Sequence, residues 1–168
     1  MKPPSDTSTV VLVLAGAHCI RMRSALLLMA LGAVCWAGAA YGTWKLNSGR
    51  STFAGDTQPR SLTIRIEPHA KGEVFTVDRI EMNGRATSCS TILYLDGAER
   101  DFRDGECSGT QSSQRMDNQT VEIVRNCAAG ARTRFVRRTG PKNELVLQIF
   151  EQQSDGRRFE RRLVFEKQ

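Results

Sequence analysis

Histidine is nearly missing from this sequence: two occur in 168 residues, and of these only His69 lies beyond the apolar N-terminal stretch. It stands beside Pro68 in an expected turn, and no Cys-x-x-Cys spacing accompanies it, so the ligand patterns of zinc are missing and no metal or cofactor is expected. Aromatic residues make up 7% of the chain, too few to interleave with basic residues into a surface on which nucleic-acid bases stack. Charge of one sign is also not in marked excess, because 24 Lys and Arg face 18 Asp and Glu. That mild basicity suits solubility and weak attraction to anionic surfaces, and it excludes the electrostatic footprint of a nucleic-acid binder. Catalytic pairs are equally scarce. Cys89 with His69 is the one nucleophile-and-base combination to consider, no motif supports it, and no enzymatic activity is expected.

What the chain does have is a sharp compositional break. Met22 to Ala40 holds no acidic residue and is dominated by Leu, Ala, Met and Val, while the remainder is richly charged. Read from Met22, a short basic start, an apolar stretch from Ala25 to Trp36 and the small residues Ala37 to Ala40 form the layout of a secretory signal peptide, with cleavage expected after Ala39 or Ala40. A second apolar run over 10–17, separated from the first by Arg21 and Arg23, does not fit this layout, and a start at Met22 rather than Met1 would explain it. The apolar stretch is short against the roughly 20 residues that span a bilayer, which argues against a membrane anchor. Residues 1–40 are accordingly assigned to a signal segment and 41–168 to one domain. Without Lys2, Arg21, Arg23 and Asp6, that domain keeps 21 basic residues (24 less 3) and 17 acidic ones (18 less 1), a net of +4. A periplasmic or secreted localisation is therefore expected.

From Tyr41 onward, apolar and polar residues alternate over short runs and helical periodicity is absent. Leu62, Ile64 and Ile66 alternate with Thr63 and Arg65, Leu145, Leu147 and Ile149 with Val146 and Gln148, and Phe159, Leu163 and Phe165 with Glu160, Arg162 and Val164. The breaks fall at Asn83-Gly84, Asp96-Gly97, Asp117-Asn118, Gly140-Pro141 and Asp155-Gly156, pairs that accept tight or left-handed backbone. The spacing predicts strands over 41–46, 62–67, 73–80, 88–95, 109–116, 120–126, 131–138, 144–152 and 158–166. One wet and one dry face per strand is the pattern of an antiparallel sheet, and closing it removes exposed edges. The expected fold is therefore all-β, an up-and-down antiparallel barrel of eight or nine strands, with a two-sheet sandwich as the other solution. Residues 47–58, rich in Ser, Gly and Thr, are expected to cross the barrel mouth or run over its surface.

Three cysteines remain after residue 40. If Arg115 faces Gln119 across the turn at Met116-Asp117-Asn118, Cys107 and Cys127 lie opposite each other and form a disulfide, leaving Cys89 as a small apolar residue.

The opening strand reads Gly42-Thr43-Trp44-Lys45-Leu46-Asn47, followed by Ser51-x-Phe53, Ser61-Leu62-Thr63-Ile64 and a terminal Phe165-Glu166-Lys167-Gln168. Gly-x-Trp on a first strand resembles the signature of lipocalins and their calycin relatives, and the longer pattern is similar to a group of bacterial secreted lipocalin-like proteins. The resemblance implies that Trp44 closes the narrow end of the barrel under an arginine from the last strand, for which Arg161 is available. It also implies an interior ligand cavity, whose candidate wall residues are Leu62, Ile64, Ile66, Leu93, Leu145, Leu147, Phe159 and Leu163.

The same residues would equally make a solid core, because hollow and filled barrels differ only in side-chain volume. Two functions therefore stand side by side. One is an exported binding protein holding a small apolar molecule inside the barrel. The other is a non-catalytic interaction module, an inhibitor or envelope adaptor, with a filled core. Arg132, Arg134, Arg137, Arg138, Arg157, Arg158, Arg161 and Arg162 crowd the later strands. They read as a solvated outer face balanced by Glu144, Glu151, Glu160 and Glu166, or as a surface for an acidic protein or an anionic envelope. The expected partners thus exclude nucleic acid, and the protein is expected to be a monomer.

Overall fold

The computed structural model describes residues 40–53, 58–105 and 107–168. The expected signal segment falls, apart from Ala40, outside the described residues. Ten strands account for most of the rest: β1 (Gly42–Leu46), β2 (Ser61–His69), β3 (Gly72–Ile80), β4 (Ala86–Leu93), β5 (Arg100–Asp104), β6 (Cys107–Arg115), β7 (Thr120–Cys127), β8 (Arg132–Gly140), β9 (Glu144–Gln152) and β10 (Arg158–Lys167). Every pairing is antiparallel, and the strand order is β4-β3-β2-β1-β10-β9-β8-β7-β6-β5. The first and last strands therefore lie side by side in the middle of the sheet, and its two edges are β4 and β5. The sheet curls until those edges face each other, giving an all-β, nearly closed barrel.

The expectation of eight or nine strands is corrected to ten by β5. Its sequence, Arg-Asp-Phe-Arg-Asp, has one apolar residue in five, so no alternation announces it. Pairing with β6 is what makes it a strand, with Phe102 opposite Gly109 and Asp104 opposite Cys107. Asp96-Gly97 accordingly does not close a hairpin but opens the connection that leads to β5.

No backbone ladder joins β4 to β5 among the described residues. Hydrogen bonds from β4 and the segment after it to β6 span the gap instead. Gln111 Nε2 donates to Thr91 Oγ1 over 3.3 Å, and the backbone N–H of Leu95 donates to Ser113 Oγ over 3.2 Å. The N–H of Gly97 donates to the Ser113 carbonyl over 2.8 Å.

Three turns at one end share a shape. In 81–85, 127–131 and 153–157 the first N–H donates to the carbonyl four residues on, and a glycine with positive φ, Gly84, Gly130 or Gly156, sits fourth. This is a short turn followed by a left-handed residue, which explains the glycines. Asp96, Asp117 and Asp155 each accept from the N–H two residues ahead, as expected of turn aspartates. The Arg100 guanidinium, followed by that N–H, holds the exposed Asp96 carboxyl down at about 2. At the other end the close of β4 runs so near the start of β3 that a Cβ on Gly72, whose φ is +147°, would meet the Leu93 carbonyl oxygen at 2.0 Å.

The disulfide forms, joining Cys107 to Cys127 with Cα atoms 5.3 Å apart. The register differs from the one expected. Met116 N–H bonds to the Thr120 carbonyl, Arg115 faces Val121, and Cys127 faces Gly109 rather than Cys107. The two cysteines are thus diagonal neighbours on one face, still within reach. The bridge encloses a sequence separation of 20 residues, so its reduction is expected to lower stability by about 3 kcal/mol in the loop-entropy account. Urea unfolding of oxidised and reduced protein measures this, and coincident midpoints would show that the bridge does not restrain the unfolded chain.

Candidate functional site

Alternation sends one face of each strand inward, and the barrel interior divides into two zones. At one end Trp44, Ile64, Ile66, Leu93, Leu145 and Phe165 pack without exposure. Trp44 Nε1 donates to the Ala40 carbonyl over 2.8 Å. Trp44 faces Lys167 on β10, whose Nζ lies 5.3 Å from the indole centroid. The cation over this tryptophan is therefore Lys167. The expected partner, Arg161, is six residues back along β10, roughly 20 Å away at strand rise, at the opposite end of the barrel. The strand register decides this, since Trp44 pairs with the final residue of β10 rather than with its first half.

The other zone is hollow. A cavity of about 260 Å3 lies between Leu62 and Ile64 of β2, Phe75 and Val77 of β3, Ile123 of β7, Phe135 of β8, Leu147 and Ile149 of β9 and Leu163 of β10. Of the eight expected wall residues, Leu62, Ile64, Leu147 and Leu163 line it. Ile66, Leu93 and Leu145 belong instead to the packed end, because the register places them nearer Trp44. Phe159 lines a separate surface groove with Arg132, Arg134 and Arg158. Of the two expected interiors, filled or hollow, the barrel has a packed end and a cavity at the other.

Towards its mouth the cavity turns polar. Arg79 follows Val77, Arg125 follows Ile123 and Arg161 precedes Leu163, each two residues further out on an inward face, and all three line the cavity. Each is matched by an acid. Arg79 lies 2.8 Å from Glu81, Arg161 pairs with Glu151, and Arg125 lies 3.6 Å from Asp104. The Arg125 guanidinium is also 4.2 Å from the Phe102 ring centroid and 5.1 Å from that of Phe135, and its Nε donates to Gln111 Oε1 over 2.9 Å. Burial pulls its pKa below the usual arginine value, against the raising influence of the Asp104 carboxylate. A guanidinium held flat by aromatic faces keeps in-plane N–H groups for an oxygen acceptor.

Cys89 lines the same region and is half-buried. Burial pushes its thiol pKa up, as do the hydrogen bond to Asp104 and that carboxylate's charge, with Arg125 acting the other way. A thiol so held is a poor nucleophile at neutral pH. His69 does not adjoin it. His69 faces Gly72 at one end of β3 and Cys89 faces Val77 further along the strand, and His69 Nδ1 accepts the Lys71 N–H over 3.2 Å.

The arginine-rich strands also divide. Arg132, Arg134, Arg138, Arg158 and Arg162 are exposed, with Arg134 paired to Glu122. Arg137, expected on the same wet surface, points inward and is buried against Glu73 of β3. Of the mouth arginines, Arg161 was expected inside the barrel, though at the wrong end; the Glu73–Arg137 pair, Arg79 and Arg125 were not identified as interior from the sequence, although a signal existed. Glu73 is in phase with Phe75, Arg137 with Phe135, Arg79 with Val77 and Arg125 with Ile123.

No protein-family model and no curated protein matches the chain. Among solved structures, a fatty acid binding protein of Schistosoma mansoni, in complex with arachidonic acid, superposes with a TM-score of 0.51 at 13% identity. The match covers 79% of this chain and 98% of that one. At such low identity the likeness concerns the fold, and it agrees with a calycin-like barrel.

Proposed function

We propose that the barrel is an exported carrier for a compact amphipathic molecule, its apolar body in the hollow zone and its polar group among the mouth arginines. The observation that carries this reading is the cavity, dry-walled within and lined by Arg79, Arg125 and Arg161 at its outer end. Pockets for small molecules have this make-up, mostly apolar walls with a few placed polar groups. A volume of about 260 Å3 lies just below the usual lower bound of roughly 300 Å3 for such pockets, which favours a single narrow chain. The three arginines are already paired with carboxylates, so the polar group that fits is an oxygen acceptor sharing those donors, a carboxylate or carbonyl. The barrel of similar fold that holds arachidonic acid supports an acyl chain as the class to test first. Export is supported by the disulfide and by the leader pattern over residues 22–40.

Displacement of a fluorescent apolar probe by saturated fatty acids of increasing chain length tests the proposal. Displacement is expected, strongest for one chain length, and weaker for the matching alkanes that lack the acceptor group. Alkylation of Cys89 with a bulky maleimide at mildly alkaline pH is expected to abolish probe uptake, and bound fatty acid to slow that alkylation. A protein that takes up no probe, or that binds it equally well after Cys89 is blocked, is not a carrier using this cavity.

A further inference from the structure

The two ends of the barrel differ in their surface chemistry. Around the mouth five exposed arginines, Arg60, Arg85, Arg103, Arg132 and Arg158, stand in turns or within two residues of them. Among the described residues no carboxylate pairs with any of these five. Of the described acids at this end, Glu81 pairs with Arg79, Asp104 with Arg125, Glu151 with Arg161 and Asp155 with Arg157, and the exposed Glu160, in one groove with Arg132 and Arg158, is the acid that offsets the ring and leaves it with an excess of positive charge. Like charges gathered in this way repel one another, and an anionic surface relieves that repulsion.

Apolar tips accompany the ring. In the β3–β4 turn Met82 is 68% exposed and Ile80 at its edge 39%, directly between Arg79 and Arg85. The β7–β8 turn presents Ala128 and Ala129, both exposed and uncharged, ahead of Arg132. The opposite end lacks this combination. There the exposed cations Lys71, Arg115 and Lys142 are interspersed with the exposed Asp96, Glu99 and Asp117, and its one exposed large apolar residue, Met116, adjoins Asp117.

We propose that the mouth end docks on bilayers containing anionic lipids, with the ring arginines on headgroup phosphates and Met82 in the interfacial layer. An acidic protein would match the arginines but leave the apolar tips without a role. A bilayer supplies both counterparts, anionic oxygens and an apolar layer just beneath them. The docked orientation turns the cavity mouth to the membrane. The inference does not depend on the carrier reading, because docking involves outward side chains and the cavity inward ones.

Sedimentation of the purified protein with lipid vesicles tests it, comparing pure phosphatidylcholine with mixtures containing phosphatidylglycerol. Binding is expected only to the anionic vesicles and should fall with added salt. Removing two ring charges in Arg132→Ser/Arg158→Ser is expected to weaken it by roughly tenfold or more, at about fivefold per arginine. Met82→Ser is expected to weaken it severalfold. The charge-matched control at the other end, Lys71→Ser/Lys142→Ser, should bind as the parent does. All these positions are exposed, so folding is retained and circular dichroism verifies it. Equal losses in the two double variants, equal binding to neutral vesicles, or retention on polyglutamate without vesicle binding would each overturn the proposal. Probe uptake measured without vesicles reports on the cavity separately.

Discussion

Replacing Arg137 with alanine is expected to destabilise the protein by about 3–5 kcal/mol, the range for removing one partner of a buried ion pair. Both members are out of water, with Arg137 at 1% exposure and Glu73 at 0%, and they join β8 to β3 across the interior. Truncating the arginine leaves a carboxylate with no solvent and little compensation. Arg115 lies 4.0 Å from Glu73 Oε2, but it is 42% exposed and its pull is screened. The pair itself need not favour folding. Glu73 Oε2 and Arg137 Nε have no hydrogen-bond partner, so part of the desolvation cost stays uncompensated. Glu73→Leu/Arg137→Met together should therefore recover most of the loss, since apolar replacements of similar volume remove both charges at once. Urea denaturation of the three proteins makes the comparison. A single-variant loss under about 1 kcal/mol would mean that the pair is hydrated in solution.

Trp44→Ala is expected to cost roughly 3–5 kcal/mol, as for other fully buried aromatic residues. The indole is 1% exposed, sits on β1 between β2 and β10, and closes the packed end. Removing it opens a void beside Ile64 and Phe165, and the rigid sheet can collapse only partly around it. Trp44→Phe should cost less, because it keeps most of the apolar contact and loses mainly the indole N–H bond to the Ala40 carbonyl. Thermal and urea unfolding distinguish the two. A loss under about 1 kcal/mol for alanine would show that this end is not packed as described.

Much of this architecture is legible in the residues themselves. Leu62-Thr63-Ile64-Arg65-Ile66 cannot bury its apolar residues together except as a strand with one dry face, and the same holds for Glu144 to Gln152 and for much of Arg158 to Glu166. Glycine and aspartate at the turns mark where such strands end. β5 escaped because a short run with only Phe102 apolar has no periodicity to detect, and it exists because β6 offers it an edge. Arg137 and Glu73 escaped for another reason. Composition assigns charged residues to the surface, whereas phase assigns these two to the interior, and here phase decides. The Cys107–Cys127 bridge was found through an inexact register, since a diagonal pair is nearly as close as a direct one.

The sequence alone determined the strand identity of most segments, the antiparallel closure and the pairing of the two cysteines, because each depends on local alternation or on neighbours along one hairpin. The tertiary structure alone decided which cation covers Trp44, that β4 and β5 meet without a ladder, and that a cavity remains at one end of the interior. Those outcomes depend on registers summed around ten strands and on the volume left between facing side chains, neither of which is carried by any one segment of the chain.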